Sequence, residues 1–273
     1  VISMTNVLLT SAGRRSYLVN YFKDALNGNG KVIVANTEKN APAMIAADES
    51  VVVPSSFDKD YIPSIVSLCK KYDIDIICSL HDLDVFILAN NQHKLTEIGV
   101  LPIVPSADWA RICLDKYECS NHLSKLGINI PWTGVSLTKA LNALKSGELH
   151  FPVILKSRFG FGSLGLTICN SILELTHHYE VALNDSSNES IGQFFDFPKD
   201  ESVLIQQCIE GKEYCIDVVN DLDANYVCHF VSEVHTMRAG ETDSVTTVSP
   251  EITGNLPKRL SKLTKHIGIW GVD

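Results

Sequence analysis

A glycine-rich segment beside a lysine carries the clearest chemistry in this sequence. Gly160, Gly162 and Gly165 match the pattern G-x-G-x-x-G, and Lys156 precedes them at the end of an apolar run. Glycines lack a Cβ, so their backbone N–H groups can approach phosphate oxygens closely, and a lysine inside an apolar run favours contact with an anion. Three nearby side chains add donors: Ser157, Arg158 and Ser163. The segment predicts a phosphate-binding loop; the alternative is a surface hairpin whose lysine reaches water.

The context of this glycine pattern excludes its dinucleotide-binding version. That version opens a helix, whereas residues 164–169 continue as a run typical of a strand. The glycines therefore lie between two predicted strands, Phe151–Ser157 and Gly165–Asn170. Protein kinases fold a similar hairpin over phosphates.

A second segment has the features of an adenosine-binding linker. The predicted strand Val203–Cys208 leads through a Glu-Gly turn into the predicted strand Glu213–Asn220. One backbone C=O and one backbone N–H can bind adenine in an apolar slot, which we predict at Cys208 and Ile209. The Glu213 carboxylate would then bind ribose hydroxyls. The alternative is an ordinary hairpin with an exposed turn.

The turn after the first predicted strand offers a weaker anion site. Gly13 is followed by Arg14 and Arg15, and two arginines at a helix start can hold a phosphate or carboxylate. The dinucleotide fingerprint needs three glycines and this turn has one, so a plain strand-to-helix turn is the alternative.

The elements that position these residues change character along the 273-residue chain. The first hundred residues alternate buried strands with helices, which predicts a doubly wound parallel sheet. A single helix is predicted over Ser106–Leu126, a mobile loop over residues 184–200 and a helix over Leu256–Ile267. The predicted strands are Asn6–Thr10, Lys31–Asn36, Ser50–Val53, Ile74–Ser79 and Leu101–Val104 in the first half, and Tyr226–Val234 after the linker.

Composition narrows the function classes. The net charge of −9 and the absence of a Lys/Arg cluster argue against a nucleic-acid partner. No apolar run approaches the roughly 20 residues of a spanning helix, and no signal peptide is evident, so we expect no membrane partner. Eight cysteines without a C-x-x-C pair predict reduced thiols in a cytoplasmic protein.

Four segments in this order resemble the ATP-grasp superfamily, in particular its carbamoyl-phosphate-synthase large-subunit-like carboxylate–amine ligases. They are NVLLTSAGRRSYLVNYF (6–22), FPVILKSRFGFGSLGL (151–166), VLIQQCIEGKEYCIDVV (203–219) and MRAGETDSV (237–245). The resemblance implies an α/β pre-ATP-grasp domain over 1–104. An α+β ATP-grasp fold would follow, with a linker helix and lid subdomain over 105–205 and part of the large subdomain over 206–273.

The resemblance also implies residue roles. Lys156 and Lys116 would contact the nucleotide phosphates, and Gly160, Gly162, Ser163 and Gly165 would form a closing loop. Gln207, Cys208 and Ile209 would meet adenine, with Glu213 on ribose. Many relatives have Glu where Gln206 and Gln207 stand, which weakens a side-chain contact to the adenine amino group. Arg238, followed by residues 240–244, would stabilise the transferred phosphate.

A metal site is expected outside the given residues. The family carries a Glu and a Glu-x-Asn or Asp-x-Asn pair that bind two Mg²⁺ ions, and no matching pair precedes Asp273. We therefore expect Mg²⁺ only with a further C-terminal segment, and a truncated chain or natural fragment that does not catalyse alone.

The expected reaction is phosphorylation of a carboxylate by ATP and attack of an unidentified amine on the acyl phosphate, with a homodimer as one expected assembly. Four residues at the edge of the first domain are weak candidates for the acceptor pocket: Arg14, Arg15, Asp82 and Asp84. Two alternatives stay open, a nucleotide-dependent oxidoreductase and a non-catalytic nucleotide-binding or assembly protein.

Overall fold

The computed structural model describes residues 4–160, 165–185, 192–238 and 241–272. The chain divides into two compact units. The first comprises Val1–Ala110, Val219–Val227 and Lys258–Trp270, and the second comprises Arg111–Val218, Cys228–Pro257 and Gly271–Asp273.

The first unit is built on a five-stranded parallel sheet. Its strands are β1 (Val7–Thr10), β2 (Val32–Asn36), β3 (Glu49–Val52), β4 (Ile76–Ser79) and β5 (Leu101–Ile103), in the order β3-β2-β1-β4-β5. All four residues of β1 are buried, which explains the unbroken apolar run. The order reverses between β1 and β4, as in a doubly wound sheet, so the predicted parallel sheet is confirmed.

Helices cover both faces of this sheet. They are α1 (Ser16–Leu26), α2 (Pro42–Ala46), α3 (Tyr61–Lys71), α4 (Asp82–Asn90) and α5 (Gln92–Thr96). The apolar pattern of residues 83–98 predicts one helix, but the backbone leaves helical geometry at Asn91, where φ is −117°. The five-residue α2 is too short for a periodic signal, and its start is marked by Pro42.

The single helix predicted over residues 106–126 is two helices, α6 (Ala107–Leu114) and α7 (Lys116–Lys125). Asp115 separates them with an extended backbone, at φ −101° and ψ 100°. Its carboxylate accepts hydrogen bonds from the backbone N–H groups of Tyr117 and Glu118, each at 3.1 Å. This N-cap satisfies donors that a continuous helix would have used internally, and thereby stabilises the break.

The second unit contains an antiparallel sheet with one covered face. Its strands are β6 (Thr133–Gly134), β7 (Val153–Ser157), β8 (Thr167–Cys169) and β9 (Val203–Gln207), in the order β6-β9-β7-β8. Two helices that the sequence analysis does not predict, α8 (Leu137–Ser146) and α9 (Ile172–Asp185), pack on that face. The shared core includes Val153, Leu155, Leu175, Val203 and Ile205.

The remaining strands form a third sheet. They are β10 (Tyr214–Asn220), β11 (Tyr226–Arg238), β12 (Glu241–Val248) and β13 (Gly268–Val272), in the order β12-β11-β10-β13, with α10 at Leu256–Thr264. Strand β11 is longer than predicted and continues to Arg238. Among the described residues, short 3-10 helical turns lie at Gly192–Phe194, Lys199–Glu201 and Pro250–Thr253. The loop predicted over residues 184–200 is thus partly regular: it begins within α9 and includes most of two of these turns, while residues 186–191 lie outside the described ranges.

A buried ion pair joins the start of α7 to the end of β7. The Arg158 guanidinium donates to Asp115 through Nε at 2.9 Å and Nη2 at 2.8 Å, and through Nη1 to Glu201 at 3.2 Å. The side chains of Arg158 and Asp115 are only 6% and 3% exposed. Burial alone would lower the pKa of Arg158, but the hydrogen bonds and charges of the two carboxylates raise it above its ordinary value.

We expect Arg158→Met to lower the free energy of unfolding by about 3–5 kcal/mol, because it leaves the Asp115 carboxylate buried without its partner. Urea denaturation followed by circular dichroism measures the change. Lys212→Met, which removes an exposed ion pair with Glu233, should leave the midpoint close to that of the parent chain. Equal effects of the two substitutions would contradict a stabilising role of the buried pair.

Candidate functional site

Lys156 lies on the face of the β6-β9-β7-β8 sheet that α8 and α9 do not cover. Side chains alternate along a strand, and Val153 and Leu155 point into the core, so Ile154 and Lys156 point to the opposite side. The Lys156 Nζ donates to the Gln206 Oε1 at 2.8 Å. Burial lowers the pKa of Lys156 and is the sole cause of the shift, so within the described ranges no carboxylate compensates the ammonium.

Apolar side chains lie on the same face of the sheet as this ammonium. Ile168 pairs with Ile154 across the strands and is 51% exposed, and Leu166 just before β8 is also exposed. We call the surface formed by Ile154, Lys156, Leu166, Ile168 and Gln206 the open face. An uncompensated cation on an exposed apolar surface suits a ligand with both an anionic part and a flat apolar part.

Lys116, the first residue of α7, lies beside the start of the glycine segment. Its Nζ donates to the Gly160 carbonyl at 2.6 Å, and its backbone N–H donates to the Arg158 carbonyl at 3.2 Å. Gly160 has φ 124°, a conformation that favours glycine. The structure thus brings one predicted nucleotide lysine to the predicted glycine segment.

The space beside Gly165, in the described part of the glycine segment, is not filled by other protein atoms. Gly165 has φ 70°, and a Cβ added there would meet nothing within 4 Å. Gly162 and Ser163 lie outside the described residues. Two nearby donors differ from expectation: Arg158 is buried in its ion pairs and so is not a phosphate donor, and the Ser157 hydroxyl donates to the Phe159 carbonyl.

The predicted adenine linker is held by the Gln207 side chain. Its Oε1 accepts from the His150 N–H at 2.9 Å, and its Nε2 donates to the carbonyls of Cys208 at 3.0 Å and Pro152 at 3.3 Å. The Cys208 N–H also donates to Pro152, at 3.2 Å. The Gln207 amide and the Cys208 N–H are therefore occupied within the protein, and the Gln207 side chain acts as a brace for the linker.

The hydrogen-bonding groups of the linker that could still bind a nucleobase belong to its backbone. The Cys208 carbonyl retains a second lone pair, and the Ile209 N–H donates no hydrogen bond within the described part of the chain. Ile209 is 67% exposed. Glu213 is exposed on the same segment, and its carbonyl accepts from the Val234 N–H at 2.9 Å.

Arg238 ends β11 with an 81% exposed side chain. Its Nη2 donates to the Asp243 carboxylate at 3.3 Å, a contact that solvent screens strongly. The next residues of its predicted segment, including Gly240, lie outside the described ranges. Its assignment to the transferred phosphate stays a prediction.

Among the candidate residues of the first unit, Asp84 and Arg15 make hydrogen bonds within the protein. Asp84 is buried and accepts hydrogen bonds from the Ser11 hydroxyl at 2.6 Å and the Tyr61 hydroxyl at 3.0 Å. Burial, together with the charge of Asp84, raises the pKa of Tyr61. Asp84 thus connects α4 to α3 and to the residue after β1, and its role in an acceptor pocket stays a prediction. The Arg15 guanidinium donates to the Leu80 carbonyl at 3.2 Å, in the loop after β4.

Two kinds of feature are absent from the described residues. Within those ranges, no three His, Cys, Asp or Glu side chains gather closely enough to hold a metal ion. None of the helices described has both the length and the apolar character that crossing a bilayer requires.

Sequence reasoning missed the partners that orient the candidate lysines. Gln206 contacts Lys156, although the two are separated by 50 residues, and Asp115 precedes Lys116 directly. The signal for Asp115 was present, since an Asp three residues before a Glu is typical of a helix N-terminus. Gln206 could be found only from the register of β7 with β9.

Comparisons with known proteins agree with this arrangement. Residues 7–103 match a family model described as "PylC-like, N-terminal domain", and residues 149–272 match one described as "ATP-grasp domain". The carbamoyl phosphate synthase arginine-specific large chain of Bacillus subtilis (strain 168) is 21% identical over 84% of this chain and 21% of its own length.

Solved structures share the fold. The biotin carboxylase domain of Hydrogenobacter thermophilus 2-oxoglutarate carboxylase, a dimer with MgADP, ADP and bicarbonate, has a TM-score of 0.72 at 21% identity, over 98% of this chain and 60% of its own. Carboxyaminoimidazole ribonucleotide synthase from Aspergillus clavatus, complexed with ATP, has a TM-score of 0.70 at 18% identity, over 100% of this chain and 66% of its own. The chain thus spans less than two thirds of either structure and about a fifth of the curated relative.

The lowered pKa of Lys156 predicts a pH-dependent effect of Lys156→Met on the nucleotide-free protein. The desolvated ammonium opposes folding below its folded pKa, and this penalty disappears as the pH rises through that pKa towards the unfolded value near 10.5. At about pH 7, Lys156→Met should therefore be as stable as the parent chain or more stable, and near pH 10 the parent should gain relative to the variant.

Urea midpoints at the two pH values measure this difference. Lys145→Met, on the exposed side of α8, is the control and should differ from the parent equally at both. A loss of stability in Lys156→Met at neutral pH that equals or exceeds its loss near pH 10 would contradict the desolvation argument.

Proposed function

We propose that this chain, whose residues 7–103 match a PylC-like N-terminal domain and whose residues 149–272 match an ATP-grasp domain, is the nucleotide-binding part of an ATP-dependent carboxylate–amine ligase. The observation that carries the proposal is the half-buried ammonium of Lys156, held on the open face by a neutral partner. Such a group is stabilised when an anion approaches it. We retain 105–205 and 206–273 as the proposed subdomains of the ATP-grasp region.

The proposed ATP site combines groups of the second unit. Lys156 and Lys116 bind the phosphates, and Lys116 exchanges its contact with the Gly160 carbonyl for a phosphate oxygen. Adenine lies against the apolar residues of the open face, with the Cys208 carbonyl and the Ile209 N–H as its hydrogen-bond partners. Glu213 binds the ribose hydroxyls. Gly162, Ser163 and Gly165 remain part of the proposed closing loop.

The proposed reaction has two steps. A carboxylate oxygen attacks the terminal phosphorus of ATP, ADP leaves, and the resulting acyl phosphate is attacked by an amine with release of phosphate. The lysines and Arg238 stabilise the negative charge on the transferring phosphoryl group. The glycine loop excludes water, because water would hydrolyse the acyl phosphate.

Two of the similar structures contain nucleotides. The Hydrogenobacter structure contains MgADP, and the Aspergillus structure contains ATP. The residues described in this chain do not fit a metal site, since no cluster of three potential ligands lies among them. No step of the proposed mechanism is therefore assigned to a metal.

The same observation favours a second candidate, a non-catalytic nucleotide-binding or assembly protein. Both candidates require ATP binding, but only a ligase forms ADP in response to a carboxylate. A coupled assay separates them, because only a ligase should release ADP in response to bicarbonate or an amino acid.

The proposal includes a cytoplasmic location and a homodimer. The eight free thiols fit a reducing compartment.

We expect calorimetry to detect ATP binding and Lys156→Met to weaken it by roughly 10–100-fold, because a hydrogen bond to a charged group contributes about 1.5–3 kcal/mol. Lys116→Met should weaken it by a similar factor. Lys145→Met removes an exposed lysine of the same unit from the opposite side of the sheet and should bind ATP like the parent. Equal affinities of all three variants would refute the assignment of the two lysines.

A further inference from the structure

Two cysteine side chains meet where helix α6 ends and helix α7 begins. Cys113 lies one residue before the end of α6, Cys119 lies in the first turn of α7, and the Cys113 thiol donates a hydrogen bond to the Cys119 sulfur. We propose that these two thiols form an oxidation site, at which a hydroperoxide produces an intramolecular disulfide. The site itself does not depend on the proposed function, whereas its effect on ATP binding rests on that function.

The contact between the two thiols exists because the helix breaks at Asp115. In one continuous helix, residues six positions apart are separated by about 9 Å along the axis and by about 120° around it, so their side chains would point in different directions. The extended backbone at Asp115, with φ −101° and ψ 100°, interrupts the helix. The same N-cap that starts α7 therefore allows Cys113 and Cys119 to come within hydrogen-bonding reach.

Paired thiols are suited to metal binding or to redox chemistry. A structural zinc site needs four ligands, and the described residues hold no group of three His, Cys, Asp or Glu side chains that could bind a metal ion. In a reducing compartment, two neighbouring thiols remain reduced at rest, and disulfides formed there are usually transient and redox-sensing. The pair of Cys113 and Cys119 therefore favours a reversible oxidation over a metal site.

The surroundings of Cys119 favour its thiolate, which is the reactive form of the side chain. The hydrogen bond from Cys113 lowers the pKa of Cys119 below its ordinary value, although burial and the charge of Asp115 both act to raise it. Burial instead raises the pKa of Cys69 and of Cys78 to about 12. Oxidation should therefore begin at Cys119 and leave Cys69 and Cys78 reduced.

The reaction needs both thiols and one molecule of hydrogen peroxide. Cys113 is exposed and Cys119 is half-buried, so a small peroxide can reach the pair. The Cys119 thiolate attacks a peroxide oxygen; the S–O bond forms, the O–O bond breaks, and the leaving hydroxide takes up a proton to become water. Cys113 then attacks the sulfur of this sulfenic acid; the S–S bond forms and the oxygen leaves as a second water. The two thiols lose two electrons and two protons, which reduce the peroxide to two waters.

The disulfide would close residues 113–119 into a loop that contains Asp115 and Lys116. Asp115 caps α7 and accepts from Arg158, and the Lys116 Nζ donates to the Gly160 carbonyl at 2.6 Å. A disulfide brings its sulfurs to about 2 Å, much closer than two hydrogen-bonded thiols. The end of α6 and the first turn of α7 must therefore approach each other. We expect this movement to displace the Lys116 ammonium from the position at which it binds phosphate.

The first test maps the disulfide on the full chain. The reduced protein is treated with hydrogen peroxide, its remaining thiols are blocked with iodoacetamide under denaturing conditions, and a tryptic digest is analysed by mass spectrometry. Cleavage after Arg111, Lys116 and Lys125 places the two cysteines in separate peptides, 112–116 and 117–125. Oxidation should join these peptides through one disulfide, while Cys69 and Cys78 carry the blocking group.

Three variants assign the role of each sulfur. Cys119→Ser and Cys113→Ser should both fail to give the joined peptides. Cys113→Ser should instead stop at the sulfenic acid of Cys119, which dimedone labels. Cys228→Ser is the matched control, because it makes the same change at another half-buried thiol of the second unit, and it should form the disulfide like the parent.

Calorimetry with ATP measures the consequence for the nucleotide site. Oxidation should weaken ATP binding roughly tenfold in the parent and in Cys228→Ser, because one hydrogen bond from a charged group to phosphate is lost. Reduction with dithiothreitol should restore the original affinity. Cys119→Ser should bind ATP equally well before and after treatment with peroxide.

The outcomes separate the oxidation site from its effect. Peroxide-treated parent protein without the joined peptides, or with Cys69 and Cys78 oxidised to the same extent, would overturn the proposed site. A complete disulfide with unchanged ATP affinity would overturn the effect on Lys116. Absence of ATP binding by the reduced parent would overturn the proposed function, and the peptide mapping would still decide whether Cys113 and Cys119 form the disulfide.

Discussion

The buried pair of Asp115 and Arg158 is the interaction on which the rest of the second unit depends. Asp115 caps α7 and so fixes Lys116, which follows it directly, while Arg158 lies two residues after Lys156. One bidentate contact therefore links the two chain segments that carry the candidate lysines. Burying two charges is unfavourable unless their hydrogen-bonding capacity is filled, and here the helix N–H groups and Glu201 complete it. The pair thus serves as a fixed point between two distant segments of chain, which loose surface contacts would not provide.

The sequence contained most of the information for the first unit and less for the second. Unbroken apolar strands such as β1 and β2 are typical of a parallel sheet, and the structure has them in that arrangement. The break at Asp115 could be read from its capping pattern, but an apolar spacing that continues on both sides suggested one helix. Helices α8 and α9 carry helical spacing too, and α8 ends at Gly147 in the left-handed conformation. The sequence thus contains signals for both helices, although the sequence analysis does not predict them.

The sequence predicts those parts of the candidate site that depend on neighbouring residues. It does not predict the parts that depend on the register between strands. Lys156 and Gly160 are identified by the residues around them. Whether a cation faces a core, as Arg158 does, or an open surface, as Lys156 does, is decided by pairing between strands that are far apart in sequence. Gln207 and Gln206 are adjacent, yet one braces the linker backbone and the other contacts Lys156, because neighbouring residues of a strand point to opposite faces. No property of a single sequence separates these two roles.

The contact between the Lys116 ammonium and the Gly160 carbonyl links a candidate phosphate-binding side chain to the backbone of the glycine segment. It uses one of the three N–H bonds of the ammonium, at 2.6 Å. In the proposed function, a phosphate oxygen that replaces the carbonyl leaves the Gly160 oxygen without this donor. Occupancy at Lys116 would thereby change the hydrogen bonding of the first residue of the glycine segment.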